Sequence, residues 1–337
     1  MAIEELVRLA EKIGLTNYEA RAYIALLIHG SLTATELAKK GEIPQPRIYD
    51  VTKSLEAKGL IVTSEGRPRR FTIVDPGIAL RKLVEKRYQE ELLSIQEIVE
   101  QSSMIGRTSE EPGIWTATGP DAVENLVISS LKSARNEILV SGFSEFVKRY
   151  VSEAKLENIA SCLVLYDENY NGLVELFDEV RVRPTRAPQF VITDFSMVTA
   201  VVNWGTQNPV AYRVTDMNLM KIFAVYYLSY LRAGAKIVSS KFDKVRKRTY
   251  HHLTRVLDHL KLLEEMNRKA IVTVKGRWIK SGESAYIRGV PQQVYENSFK
   301  GIGTLIIVTE DGKKVTVGGI DAYLEDIEGF EITIETT

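Results

Sequence analysis

TATELAKKGEIPQPRIYDVTKSLEAKGLIVTSEGRPRRFTIVDP, residues 33–76, reads as a short helix, a turn, a second helix and a hairpin. Thr33 and Glu36 form a capping box, in which the hydroxyl satisfies a first-turn amide and the glutamate reaches back to the cap. Pro44 and Pro46 are tolerated only in the first turn of the helix that follows. Ile48, Val51 and Leu55 give that helix one apolar stripe, and Gly59 closes it. Two apolar runs around Glu65-Gly66 then predict a pair of strands. Upstream, Leu6, Leu9, Ala10 and Ile13 recur at helical spacing and Gly14 stops them. Thr16 and Glu19 form a second capping box, opening a helix that is apolar at Ala20, Tyr23, Ile24 and Leu27 and ends at Gly30. Three helices, a fourth and a β wing predict a winged helix-turn-helix over residues 1–76.

Such a fold lays one helix in the DNA major groove and the hairpin along neighbouring phosphates. The first turn of the second helix displays Gln45, Arg47 and Tyr49, with Lys53 one turn on. Gln pairs bidentately with adenine and Arg with guanine, so these are the candidate base readers. Arg67, Arg69 and Arg70 on the wing suit phosphate or minor-groove contact. The charge distribution agrees. Residues 39–70 carry eight basic side chains against four acidic, whereas residues 1–38 carry three against five. The basic face is local, since the whole chain balances 44 basic against 44 acidic residues.

Beyond the wing, Leu80, Val84, Tyr88, Leu92, Ile95 and Val99 step by fours and a three along one helix. A stripe so long and one-sided predicts a coiled-coil linker over residues 77–110 that pairs the chain as a homodimer. Residues 111–268 alternate strand-like and helix-like runs (EILVSG, SEFVKRYVSEA, ASCLVLY, QFVITD) and predict an α/β effector domain. Its last part, residues 239–266, reads as one charged helix. Short strands with Gly-rich turns over residues 269–337 predict a small all-β subdomain, in barrel form. The fold class is therefore α/β multi-domain.

At 337 residues, with 45% hydrophobic and 26% charged content, the chain has the composition of a globular protein of two or three domains. No apolar run reaches membrane-spanning length and no secretory signal opens the sequence, so the expected location is the cytoplasm, away from membranes. The single Cys162, inside SCLVLY, fits a small buried hydrophobe. His29, His251, His252 and His259 lack metal spacing, and the two neighbours read as solvated residues of the charged helix. His259-Leu260-Lys261 opens a phospholipase-D-like motif, but Met266 stands where the acid belongs. P-loop, Gly-x-Ser-x-Gly and dinucleotide fingerprints are absent, so no catalytic residue, cofactor or metal is expected.

The pattern Tyr18-Glu19-Ala20, Thr33-Ala34-x-Glu36, Ile43-Pro44 and Arg47-x-Tyr49-Asp50 resembles the N-terminal domain of the TrmB family of archaeal sugar-responsive transcription regulators. The likeness returns at Ser133–Ile138 and in VTVGGIDAYLED, residues 315–326. It implies a regulator whose affinity for double-stranded operator DNA responds to a sugar effector, an α-glucoside such as maltose or maltotriose. The positions matching the family's sugar pocket are Gly319, Ile320, Tyr323, Leu324 and Glu325. Glycine permits close approach, the tyrosine offers a ring face, and the carboxylate accepts hydroxyl protons. The family's pocket asparagine has no counterpart near Gly303-Thr304. The rival reading is a chromatin-type or constitutive DNA binder whose C-terminal region senses another ligand or none.

Overall fold

A computed structural model describes residues 3–105, 111–297 and 302–336. The chain divides into two compact units, Met1–Glu110 and Glu111–Thr337. In the first, α1 (Ile3–Lys12) and α2 (Asn17–His29) precede a short strand β1 (Leu32–Thr33) and α3 (Ala34–Lys40). A 3-10 turn, Gln45–Arg47, leads into α4 (Ile48–Ala57). The wing is β2 (Ile61–Thr63) and β3 (Arg70–Ile73), and β3 lies between β1 and β2 in the sheet. Both expected capping boxes are present, at Thr16–Glu19 and Thr33–Glu36. Leu26, Leu37, Ile48 and Leu55 are fully buried in one core. Leu9 and Leu27 lie outside it, exposed; Val7 and Leu26 take the inward positions.

Glu19 does more than cap α2. Its carboxylate also accepts hydrogen bonds from Lys58 Nζ at 2.6 Å and Ser54 Oγ at 2.6 Å, tying the end of α4 to the start of α2. Burial would raise this carboxyl, but the bonds from Lys58, Ser54 and the Thr16 amide outweigh it and hold it below its ordinary range. The helix that presents the candidate base readers is therefore anchored at its far end. The final helix of this unit, α5 (Pro76–Ile105), buries Ala79 and Leu83 in the same core, and Arg87 donates to the Ile13 carbonyl at 3.0 Å. After that its apolar residues are exposed, among them Tyr88, Ile95 and Val99.

The second unit opens with β4 (Ile114–Thr118), α6 (Pro120–Ser133), β5 (Glu137–Gly142) and α7 (Ser144–Tyr150). Next come β6 (Ala160–Leu165), β7 (Glu179–Val182), β8 (Gln189–Thr193), β9 (Met197–Val202) and β10 (Val210–Val214). Then α8 (Met217–Val225) runs into a π-helical stretch, Tyr226–Arg232, before β11 (Lys236–Ser240). The eight strands form one mixed sheet in the order β11-β7-β6-β5-β8-β9-β10-β4. Its central strands are apolar on both faces because helices cover both. Ile138 and Val140 pack with α6 and α7, whereas Leu139 and Cys162 pack with α8 and the π stretch. Burial pushes the Cys162 thiol up to about 11, which makes it an inert core residue.

Residues 239–266 do not form one helix, contrary to the sequence reading. They supply the end of β11, then β12 (Lys247–Tyr250), then α9 (Leu253–Glu265). Strands β13 (Ala270–Trp278), β14 (Ser284–Asn297), β15 (Ile302–Thr309), β16 (Lys314–Gly318) and β17 (Ile327–Thr336) follow. A parallel pairing of β16 with β17 closes β13–β17 into a five-stranded barrel, and β12 adds to the outside of β17. The core of this barrel includes Val256, Leu257, Leu260 and Leu263, so α9 belongs to it and the subdomain is not purely β. The charges of residues 241–248 misled, since they lie on the connection from β11 and on β12, while within α9 Arg255 and His259 are buried.

Candidate functional site

A cavity of about 350 Å³ opens between the barrel and the α/β sheet of the second unit. One wall is the β16–β17 loop, and Gly319, Ile320, Tyr323, Leu324 and Glu325 all line it. They lie on a loop, with Tyr323 and Leu324 largely exposed. Glu325 Oε1 accepts from the Thr304 hydroxyl at 2.8 Å, so the residue beside Gly303 positions the carboxylate. A Cβ on Gly318 would meet Ala322 Cβ at 2.3 Å and Glu325 Oε2 at 2.8 Å, so the loop folds back tightly only over glycine. Gly319 faces Leu253 of α9.

Three further walls come from elsewhere in the chain. The β8–β9 turn contributes Phe195, whose backbone sits at φ 47, an uncommon conformation for a bulky residue. Asp194 holds that turn by accepting from the amides of Arg135, Asn136 and Glu137 at 2.7–2.8 Å. Helix α8 contributes Lys221, which donates to Asp321 of the loop at 2.7 Å and so ties helix to loop. The corner between β12 and α9 contributes His251, His252, Leu253 and Thr254. None of these was read as a site from the sequence, because three distant segments meet only through the fold.

The two histidines are not solvated helix residues. His252, 7% exposed, is the N-cap of α9, and its Nδ1 lies 2.8 Å from Glu137 Oε2. Glu137 also accepts from the His251 amide at 2.8 Å and from Arg255 Nη1 at 2.9 Å. Burial would raise the Glu137 carboxyl, but His252, Arg255 and His251 outweigh it and hold it at about 2. Arg255 further donates to the Ala160 and Ser161 carbonyls, so α9 is fixed to β5 and β6 by one buried ionic cluster. His259 stacks on Phe242, takes a hydrogen bond with the Tyr250 hydroxyl at 2.9 Å, and is lowered to about 4 by burial. It is a core residue with no access to a substrate.

In the first unit, Gln45 and Arg47 lie on the 3-10 turn and Tyr49 and Lys53 on α4, all exposed; Gln45, Tyr49 and Lys53 are spaced by fours, with Arg47 between the first two. Arg67 and Arg69 are exposed between the wing strands. Arg70 is held differently: it donates to the Ser31 carbonyl at 2.7 Å and pairs with Glu36 at 3.8 Å. Its charge is partly spent on bracing the wing against α3. Among the described residues there is no cluster suited to a metal, and no helix is long and apolar enough to cross a membrane.

Three family models match in succession. "Sugar-specific transcriptional regulator TrmB" covers residues 9–77, the N-terminal subdomain of the TrmB effector-binding domain residues 113–239, and the C-terminal subdomain of TrmB/TrmBL1 residues 245–337. The chain is 28% identical, over 98% of both lengths, to the HTH-type sugar sensing transcriptional regulator TrmBL1 of Pyrococcus furiosus. It is 45% identical over 87 residues, 25% of this chain and 33% of the other, to the DNA-binding HTH-type transcriptional repressor TrmBL2 of Thermococcus kodakarensis. A solved TrmBL2 structure, described as an archaeal chromatin protein, is 24% identical with a TM-score of 0.46, covering 70% of this chain and 99% of that one. With its winged helix at one end and an effector-type domain over the rest, the chain belongs to the TrmB family of DNA-binding transcriptional regulators, not to an enzyme family.

Proposed function

We propose that the protein is a sugar-responsive regulator whose affinity for operator DNA changes when an α-glucoside, such as maltose or maltotriose, occupies the cavity of the second unit. One observation carries this reading. Gly319, Ile320, Tyr323, Leu324 and Glu325, singled out from sequence, line a single cavity of about 350 Å³, a size within the range of small-ligand sites. Its mixture of an exposed aromatic ring, aliphatic walls and a positioned carboxylate suits a ring with an apolar face and polar rim. The TrmBL1 relative is described as sugar sensing, which agrees.

On the DNA side, Gln45, Arg47, Tyr49 and Lys53 read base edges while Arg67 and Arg69 contact phosphates, with Arg70 a bracing residue that reaches the backbone only from its free edge. The exposed stripe of α5 supports pairing as a homodimer in the cytoplasm, which sets the spacing of two winged helices. A thermal-shift panel of mono-, di- and trisaccharides tests the sensing half. A ligand at a hundred times its Kd adds about 2.7 kcal/mol to the folded state. A flat response to every sugar would remove the sensing claim and favour a constitutive binder.

A further inference from the structure

We propose that His252 and the first turn of α9 form a hydroxyl-binding subsite of the cavity, a set of contacts separate from the Gly319–Glu325 loop. The proposal rests on the sugar reading above and deepens it. Two independent observations point to it. First, His252 lines the cavity and is buried, yet its Nε2 has no hydrogen-bond partner among the described residues. A buried polar nitrogen left unpaired costs about 1–3 kcal/mol, so its retention beside a cavity calls for a group that reaches it from there. Second, α9 is a 13-residue helix whose N-terminus carries no side-chain cap. Leu253 and Thr254 both line the cavity, and their backbone amides have no acceptor among the described residues.

The ligand chemistry follows from what each group can give. Glu137 is ionised, so the His252 nitrogen facing it, Nδ1, carries the proton and donates. The Nε2 atom offers one hydrogen-bonding position, and the Leu253 and Thr254 amides are donors. A hydroxyl matches this set because it donates once and accepts as well. The Glu137 carboxylate behind the ring opposes a second anion at this place. Phe195 packs edge-on against the His252 ring, with centroids 5.1 Å apart, and fixes the plane in which the nitrogen points. The same ring is bonded to the cluster of Glu137 and Arg255, so a hydroxyl at Nε2 touches the joint between barrel and sheet directly.

The test uses the full-length protein and calorimetric titration with maltotriose, in wild type, H252N, H252Q and E325A. Asparagine can replace the donor to Glu137 but has nothing at the place of Nε2. H252N is therefore expected to bind maltotriose about ten-fold more weakly while its ligand-free melting temperature stays near wild type. H252Q, whose amide oxygen reaches toward the Nε2 position, is expected to recover part of that loss. If wild type and H252N bind equally well while E325A does not, the subsite is wrong and the sugar reading stands. If H252N unfolds early, a further variant, H252F, decides: a folded H252F, which has no nitrogen at the Nε2 position, that binds maltotriose as wild type does overturns the subsite. Competition by inorganic phosphate against maltotriose would make this an anion site and overturn the hydroxyl assignment. Wild type silent to both maltotriose and maltose overturns the sugar reading and the subsite together.

Discussion

Arg47 and Arg69 are both exposed arginines, and the proposed reading gives them different work. Arg47 closes the 3-10 turn at the head of α4, the part of a recognition helix that reaches base edges. Arg69 lies between the wing strands. Arg47→Ala is expected to cost roughly 1–3 kcal/mol on operator DNA and little on scrambled DNA, whereas Arg69→Ala weakens both alike and lowers the salt slope. Titrations of both sequences at two salt concentrations check this, and equal losses for Arg47→Ala would remove it from base reading. Beside the cavity of the second unit the telling residue is Gly318. Gly318→Ala forces its methyl into Ala322 and the Glu325 carboxylate, so the loop must open. The expected result is loss of the sugar-induced thermal shift with the barrel's far-UV circular dichroism retained; an undiminished shift would mean that the loop geometry is irrelevant to binding.

Helix α5 runs where the sequence placed it, whereas α9 is only the last part of the helix read over residues 239–266. The start of α5 docks on the winged-helix core, but Tyr88, Leu92, Ile95, Ile98 and Val99 remain exposed over the following turns. Pairing with a second copy would cover them. Light scattering is expected to give twice the 38.0 kDa chain mass, and Ile95→Glu combined with Val99→Glu to give the single mass and weaker operator binding. A wild-type monomer that still binds the operator tightly would rule the pairing out. For α9, pH is the probe. His259 is held neutral by burial, at about 4 against an ordinary 6.5, so the unfolded chain binds its proton first. Its contribution is complete above the ordinary value and is lost as pH falls from there toward 4. Denaturant unfolding at pH 5 should show about 2 kcal/mol less stability from this group than at pH 7. The part of that pH slope belonging to His259 should vanish in His259→Phe. Glu137, at about 2, adds a further loss only below its ordinary 4.5.

For the molecule as a whole, the two units matter through their linkage. If a sugar in the cavity changes operator affinity, DNA must change sugar affinity by the same factor, because coupling free energy is reciprocal. Couplings of about 1–3 kcal/mol would move operator affinity several-fold to a hundred-fold. Glu325→Ala is expected to abolish this response and leave sugar-free DNA binding intact. Operator affinity with and without saturating maltotriose, in wild type and variant, decides the matter. A variant that still responds would place the effector elsewhere than the β16–β17 loop.

Local signals carried the sequence far wherever a residue's neighbours along the chain decide its structure. The capping boxes at Thr16–Glu19 and Thr33–Glu36, the first-turn prolines before α4 and the Gly-closed helices are such cases, and with them the winged helix was legible. The residues of the loop Gly319–Glu325 came from the family resemblance of VTVGGIDAYLED and not from a local physical signal; the structure places them along one cavity. What only the tertiary structure decided lies between segments. Nothing beside His252 marks a helix start: it is an N-cap without a capping hydroxyl or carboxylate, so the break before α9 carried no local sign. Glu137 and Arg255 are 118 positions apart, and each alone looks like a solvated charge. Burial turns them into a joint, because a charge removed from water persists only opposite its partner. That pairing, and the cavity wall formed by Phe195, Lys221 and His252, exists only once barrel and sheet have come together.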